Sequence, residues 1–303
     1  MITLTKIREL DVAPSADAEI RHLSAASGLL RAGSFLYVVA DDELHLGVFR
    51  TTGGGPGELV RLFEGVLPSP KAERKRKKPD LEALTLLPRS AQYTNGAMLA
   101  LGSGSTQKRR RGVVLGLDAH GALRGDSNIV DLSPVFSGLS SFRELNIEGA
   151  VVLSDEMRLF QRGSKGNNPN AVIRFSLADV LAMLNGDSAR AIEPLAIETL
   201  DLGGIDGIPY TFTDATALPS GEVVFTAVAE DTADSYNDGP CAGAVVGILD
   251  SRNSIRKMLA LDAPLKVEGV DARMEGDWIN LLLVTDADDP SIPAGLFSAS
   301  MDL

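Results

Sequence analysis

Three glutamates open short apolar runs in this chain: Glu82 in "DLEALTLL", Glu148 in "NIEGAVVL" and Glu268 in "KVEGVDA". Each is followed by Gly or Ala, and two positions earlier stand Asp80, Asn146 and Lys266. Two further stretches, "AASGLL" around Ser27 and "DATALPS" around Asp214 and Thr216, repeat the pattern without the glutamate. Side chains alternate across a strand, so a residue and the one two before it face the same way. Side by side, Glu82, Glu148 and Glu268, with Asp80 and Asp214 one step above, make an oxygen-rich ring. Crowded carboxylates raise one another's pKa unless a positive charge compensates. Such donors suit a hard divalent cation, Ca2+ before Mg2+, better than zinc. Lys266, Arg143 or Arg162 could supply the compensating charge instead. His22, His45 and His120 are scattered and lack metal-ligand spacing. A reading without any ligand stays open, in which the glutamates bond waters and neighbouring backbone amides and hold the ring together.

Taking Ser27, Glu82, Glu148, Thr216 and Glu268 as equivalent gives intervals of 55, 66, 68 and 52 residues. A second apolar strand follows each opening strand, among them "SFLYVVA", "GAMLALG" and "WINLLLV", and then a third. A fourth follows in four of the five units. The segment Ile2 to Val12 is a spare strand, and the last unit lacks one. Repeats of this kind, closed by a strand from the other terminus, predict an all-β fold, a β-propeller of five four-stranded blades. Six blades is the alternative, with one hidden in a long connection. The expected blades cover about 24–66, 80–132, 146–202, 213–262, and 266–303 plus 2–12, as a single domain over 1–303. The one expected helix is "SLADVLAMLNG", Ser176 to Gly186, with Ser176 as its N-cap.

In an up-and-down blade, loops after strand two share a face with loops before strand one. The long polar loops therefore gather on one side, here called the top, together with the carboxylates. Arg143, Asn146, Arg162 and Lys165 reach that face and form the expected ligand-binding set for an anionic group. The sequence names no catalytic residue.

Net charge is −12, yet residues 71–111 hold eleven Lys/Arg against three acids. The overall sign argues against a nucleic-acid partner. The runs "KAERKRKK" and "KRRR" read either as solvated loops or as an electropositive rim. Lone Cys241 excludes a disulfide framework, and no apolar run is long enough to span a bilayer. A cytoplasmic location is the expectation.

The recurring Glu-Gly/Ala plus apolar run, on Glu82, Glu148 and Glu268, resembles the phytase-like propellers (esterase-like activity of phytase) and the SdiA-regulated-like propellers. More distantly it resembles calcium-dependent lactonase and strictosidine-synthase-like propellers. The resemblance implies a propeller whose top channel takes Ca2+ and an ester or phosphoester. Two functions are therefore carried forward. One is a metal-assisted hydrolase of a small anionic ester or phosphoester, with Glu82, Glu148, Glu268, Asp80 and Asp214 around Ca2+. The other is a non-catalytic scaffold presenting its top face to a ligand or protein.

Overall fold

The computed structural model describes residues 1–14, 20–164, 168–232 and 239–303, with Lys71 described by its backbone. Strand β1 (Thr5–Glu9) comes first. Blade I holds β2 (Ala26–Ala32), β3 (Phe35–Ala40), β4 (His45–Arg50) and β5 (Glu58–Arg61). Helix α1 (Lys71–Lys77) leads to blade II, with β6 (Leu81–Leu87), β7 (Ala97–Gly102), β8 (Arg111–Leu117) and β9 (Leu123–Asp131). Helix α2 (Ser133–Phe136) precedes blade III, which has β10 (Ile147–Leu153), β11 (Glu156–Gln161), β12 (Asn170–Ser176), helix α3 (Leu177–Leu184) and β13 (Ala196–Leu200). A small hairpin, β14 (Gly204–Ile205) with β15 (Ile208–Pro209), introduces blade IV. That blade comprises β16 (Thr211–Ala217), β17 (Val223–Glu230), β18 (Cys241–Leu249) and β19 (Ile255–Ala260). Blade V is β20 (Val267–Glu275), β21 (Trp278–Thr285), β22 (Gly295–Asp302) and, outermost, β1.

The five four-stranded antiparallel sheets form the propeller that the repeats predict. The N-terminal segment closes the ring. β1 pairs with β22, from Thr5 opposite Ser298 to Glu9 opposite Gly295. On either side of it, Ile2 bridges Leu261 of blade IV and Val12 bridges Gly57 of blade I. One segment thus ties three blades together.

Burial follows position in the blade. Inner strands such as β2, β6 and β10 are almost wholly buried, whereas outer strands β1 and β9 are largely exposed. The core is five apolar clusters, one in each gap between neighbouring blades. Between blades III and IV, Phe160, Phe212 and Phe225 meet edge to face at 5.3 and 5.1 Å. Each buried ring contributes about 2–3 kcal/mol. α3 lays Leu177, Val180, Met183 and Leu184 on the gap between blades II and III, and Ser176 caps it by accepting from the Asp179 amide. α1 went unforeseen because its charged sequence carries no apolar periodicity.

Every inner strand carries a bulge at the same point. The extra residues are Ser27, Glu82, Glu148, Thr213 and Glu268. This corrects the expected register in blade IV, where Thr213, not Thr216, is the equivalent residue. Asp214 therefore stands where the other blades have Gly28, Ala83, Gly149 and Gly269. In the other four blades the residue is small because the inner strands nearly touch. A Cβ on Gly149 would lie 2.9 Å from the Ala215 nitrogen, and one on Gly269 would lie 3.0 Å from the Leu29 nitrogen. Gly149→Ala and Gly269→Ala should each lower stability by about 1–3 kcal/mol through overpacking. Urea denaturation measures this; unchanged midpoints would refute the close approach.

Candidate functional site

The bulges turn the extra residue of each inner strand toward the top of the ring, a known use of bulges at barrel rims and sites. A second layer comes from the first residue beyond strand two. The amides of Asp41, Ser103, Arg162 and Asp286 donate to the carbonyls of Ala25, Asp80, Asn146 and Lys266 at 2.9–3.1 Å. The same bond in four blades brings four more polar side chains to the top of the ring.

Asp214 closes the axis. Its Oδ1 accepts from the Ala215 amide at 2.7 Å and its Oδ2 from the Val270 amide at 2.8 Å. The Leu29 amide is a third donor, so one carboxylate joins blades IV, V and I. Burial pushes its pKa well above the usual range, and the amides pull it back.

Above this plug the charged groups divide into two sets. In the first, Arg162 approaches Glu230 at 2.5 Å, Glu148 at 3.4 Å and Glu268 at 3.7 Å. Lys266 approaches Asp288 at 2.7 Å, Glu230 at 3.2 Å, Glu268 at 3.6 Å and Asp286 at 3.8 Å. Burial raises the Glu148 and Asp286 pKa values to about 7, against the pull of Arg162 and Lys266 respectively. Burial also opposes the charge on Arg162, but Glu148, Glu268 and Glu230 outweigh it and keep the guanidinium charged.

The second set is Asp41, Asp80 and Glu82, whose carboxylate oxygens lie within 4.8 Å of one another. Lys78 pairs with Asp41 and, at 3.0 Å, with Asp80. Arg109 reaches the other Asp80 oxygen at 2.9 Å, and Ser103 donates to it as well. Asp80 adopts a left-handed backbone, φ 59°, uncommon for a non-glycine residue. Glu82 is 8% exposed and, among the described residues, receives no hydrogen bond or ion pair. Burial, then Glu148, Asp80 and Asp41, raise its pKa well above the carboxylate range. This buried acidic cluster can hold a divalent metal ion.

Beside it opens a cleft of about 550 Å³, walled by Asp41, Glu43, Arg74, Lys78, Lys266 and Asp286 among others. Arg74 is tied there to Asp42 at 3.1 Å and Glu43 at 2.6 Å.

The structure brings Glu82, Glu148, Glu268 and Asp80 to the same end of the ring and gives Asp214 to the axis. Asn146 donates its side-chain amide to Glu148 at 2.5 Å. Arg162 is enclosed by three glutamates. Arg143 is exposed on the stretch before β10, its backbone amide bonded to Asn168. Lys165 lies outside the described residues. Sequence reasoning missed Asp41, Glu230, Asp286 and the roles of Lys78 and Arg109. For Asp41 and Asp286 the usable signal was a charged residue one step past strand two. Lys78 and Arg109 stand in basic runs where nothing singles out the one residue that meets Asp80, and Lys78 also meets Asp41 of another blade.

Solved structures similar to this chain include a luciferin-regenerating enzyme, with TM-score 0.49 and 11% identity over 99% of this chain and 95% of that one. A hypothetical protein from Leishmania major has TM-score 0.44 and 11% identity over 99% and 91%. A gluconolactonase from Xanthomonas campestris has TM-score 0.41 and 10% identity over 99% and 97%. Likenesses this distant say nothing about what this chain acts on. No curated protein sequence matches it. Residues 22–301 match a family of unknown function (DUF6929), and the chain belongs to that family.

Two outcomes follow from the charges. Asp214→Ala should cost about 2–4 kcal/mol, because buried amides lose their acceptor, and Asp214→Asn should cost less. Glu148 and Asp286 hold protons near pH 6 that the unfolded chain has released. Their contribution is full below the unfolded pKa, about 4, and is lost as pH rises through about 7. Melting temperature should therefore fall between about pH 4 and about pH 7, and Asp286→Asn should flatten that slope. Equal slopes in the two proteins would overturn the assignment.

Proposed function

Taking the chain as a member of that family, we propose that its propeller binds a divalent cation, Ca2+ first, at Asp41, Asp80 and Glu82. The bound cation then serves the hydrolysis of a small anionic ester or phosphoester. The observation that carries this reading is the buried acidic cluster in which Glu82, alone of the three, has no partner among the described residues. Its donors are all carboxylate oxygens, the set a hard cation prefers. When bound, such a cation polarises an ester oxygen and acidifies a water. Glu148, with a pKa of about 7, has the protonation balance that a general base needs at neutral pH. Arg162 and Asn146 hold Glu148 in place. The neighbouring cleft mixes Arg21, Arg74 and Lys78 with Asp41, Asp42, Glu43 and Asp286, and Arg143 is exposed on the chain leading into blade III; Arg21 and Arg143 are the groups offered to an anionic substrate.

A second reading has its own support. Lys78 and Arg109 already neutralise Asp41 and Asp80, as in a scaffold that presents its top face to a partner without chemistry.

Thermal melts with Ca2+, Mg2+ or chelator separate the two. At about 100 times its Kd, a cation stabilises the fold by about 2.7 kcal/mol. Ca2+ should raise the melting temperature of the wild type, and Glu82→Gln should abolish the rise. Hydrolysis of aryl esters and phosphoesters should then appear only with the cation. No shift with any cation, and no turnover, would leave the scaffold reading.

A further inference from the structure

Building on that cation site, we propose that the strap from Gly65 to Pro79 is a built-in competitor for it. The Lys78 ammonium must leave Asp41 and Asp80 before a cation can occupy them. The strap runs from β5 of blade I to β6 of blade II, with α1 in its middle.

Among the described residues, polar bonds hold α1 down. Ala72 is exposed, and α1 buries no apolar side chain. Its ties include Lys78 on Asp41 and Asp80, Arg74 on Asp42 and Glu43, and a hydrogen bond from Arg109 to the Lys75 carbonyl at 2.7 Å. A seven-residue helix does not persist in water without such ties.

The strap can move between two anchors, Leu67 packed on the core between blades I and II and the buried Asp80. Gly65 has φ 108°, and nothing lies within 4 Å of where its Cβ would be. At the other end Pro79 leads into Asp80, whose left-handed backbone costs about 1 kcal/mol or more. Its backbone is bonded to Asp41 and Ser103, and Lys78, Arg109 and Ser103 hold its carboxylate. Arg74, Lys75 and Lys78 also wall the 550 Å³ cleft opposite Asp286, Asp288 and Pro290. Lifting the strap therefore bares the carboxylates and widens the cleft in one movement.

The competition is unequal. An ammonium offers one charge and three donors, and Glu82 is not among the Lys78 ion pairs. A calcium ion offers two charges and takes six to eight oxygens, so it can recruit Glu82 as well.

Hydrogen exchange of the 72–78 amides, read by mass spectrometry with and without Ca2+, tests the movement. Calorimetry with Ca2+ alone tests the competition. Ca2+ should strip protection from 72–78 in the wild type, and Lys78→Met should bind Ca2+ at least about tenfold more tightly. Arg74→Gln, whose partners Asp42 and Glu43 lie outside the cluster, should act in the same direction more weakly. It also serves if Lys78→Met fails to fold. Equal affinity in wild type and variants, with protection unchanged by Ca2+, would overturn the strap while leaving the cation site standing. Ca2+ binding to none of these proteins would overturn the cation site, and the strap with it.

Discussion

An isolated carboxylate taken out of water costs several kcal/mol unless a partner compensates. The top of this ring holds Asp41, Asp80, Glu82, Glu148, Glu268 and Asp286 together, all largely or wholly withdrawn from solvent. Four cations answer them. Arg162 and Lys266 come from the blades themselves, and Lys78 and Arg109 come from the two basic runs. The basic stretch in an otherwise acidic chain thus has an internal use. Lys78 and Arg109 are counter-ions to the cluster, and Arg74 pairs with Asp42 and Glu43 beside it.

The compensation is uneven, and the unevenness defines the candidate site. Arg162 and Lys266 each touch several carboxylates, so Glu148, Glu230 and Glu268 share charge around them. Asp41 and Asp80 share Lys78. Glu82 is left over, buried between the two sets, with like charges as its nearest strong influences after burial itself. A group in that position either stays protonated or waits for a cation, and both states bear on function.

Blade IV shows how symmetry is broken to build the centre. Four inner strands place Gly or Ala at the closest approach, and the fifth places Asp214 there. Its carboxylate can enter the axis only because the other four positions are small. Once there it takes amides from three blades and seals the ring below the charged groups. Reading the repeat by its glutamates put Thr216 in register, because nothing in "YTFTDATALPS" marks Thr213 as a bulge. The register is settled by the pairing of β16 with β17, where Thr213 falls between Phe212 and Asp214.

Local sequence determined the architecture. Alternating apolar strands recur at similar intervals, and the N-terminus supplies the strand missing from the last unit, so five blades and their closure are written along the chain. The glutamates Glu82, Glu148 and Glu268 were visible for the same reason, since each sits at a fixed place in its own repeat. Asn146 beside Glu148 and Lys266 beside Glu268 are legible two residues away, but tertiary structure decided the distant partners. Asp41 meets Lys78 across 37 residues and Arg162 meets Glu230 across 68, through loops whose lengths follow no period. The strand pattern records which way a side chain faces. Which charge it meets is fixed only when five blades close and water leaves the space between them.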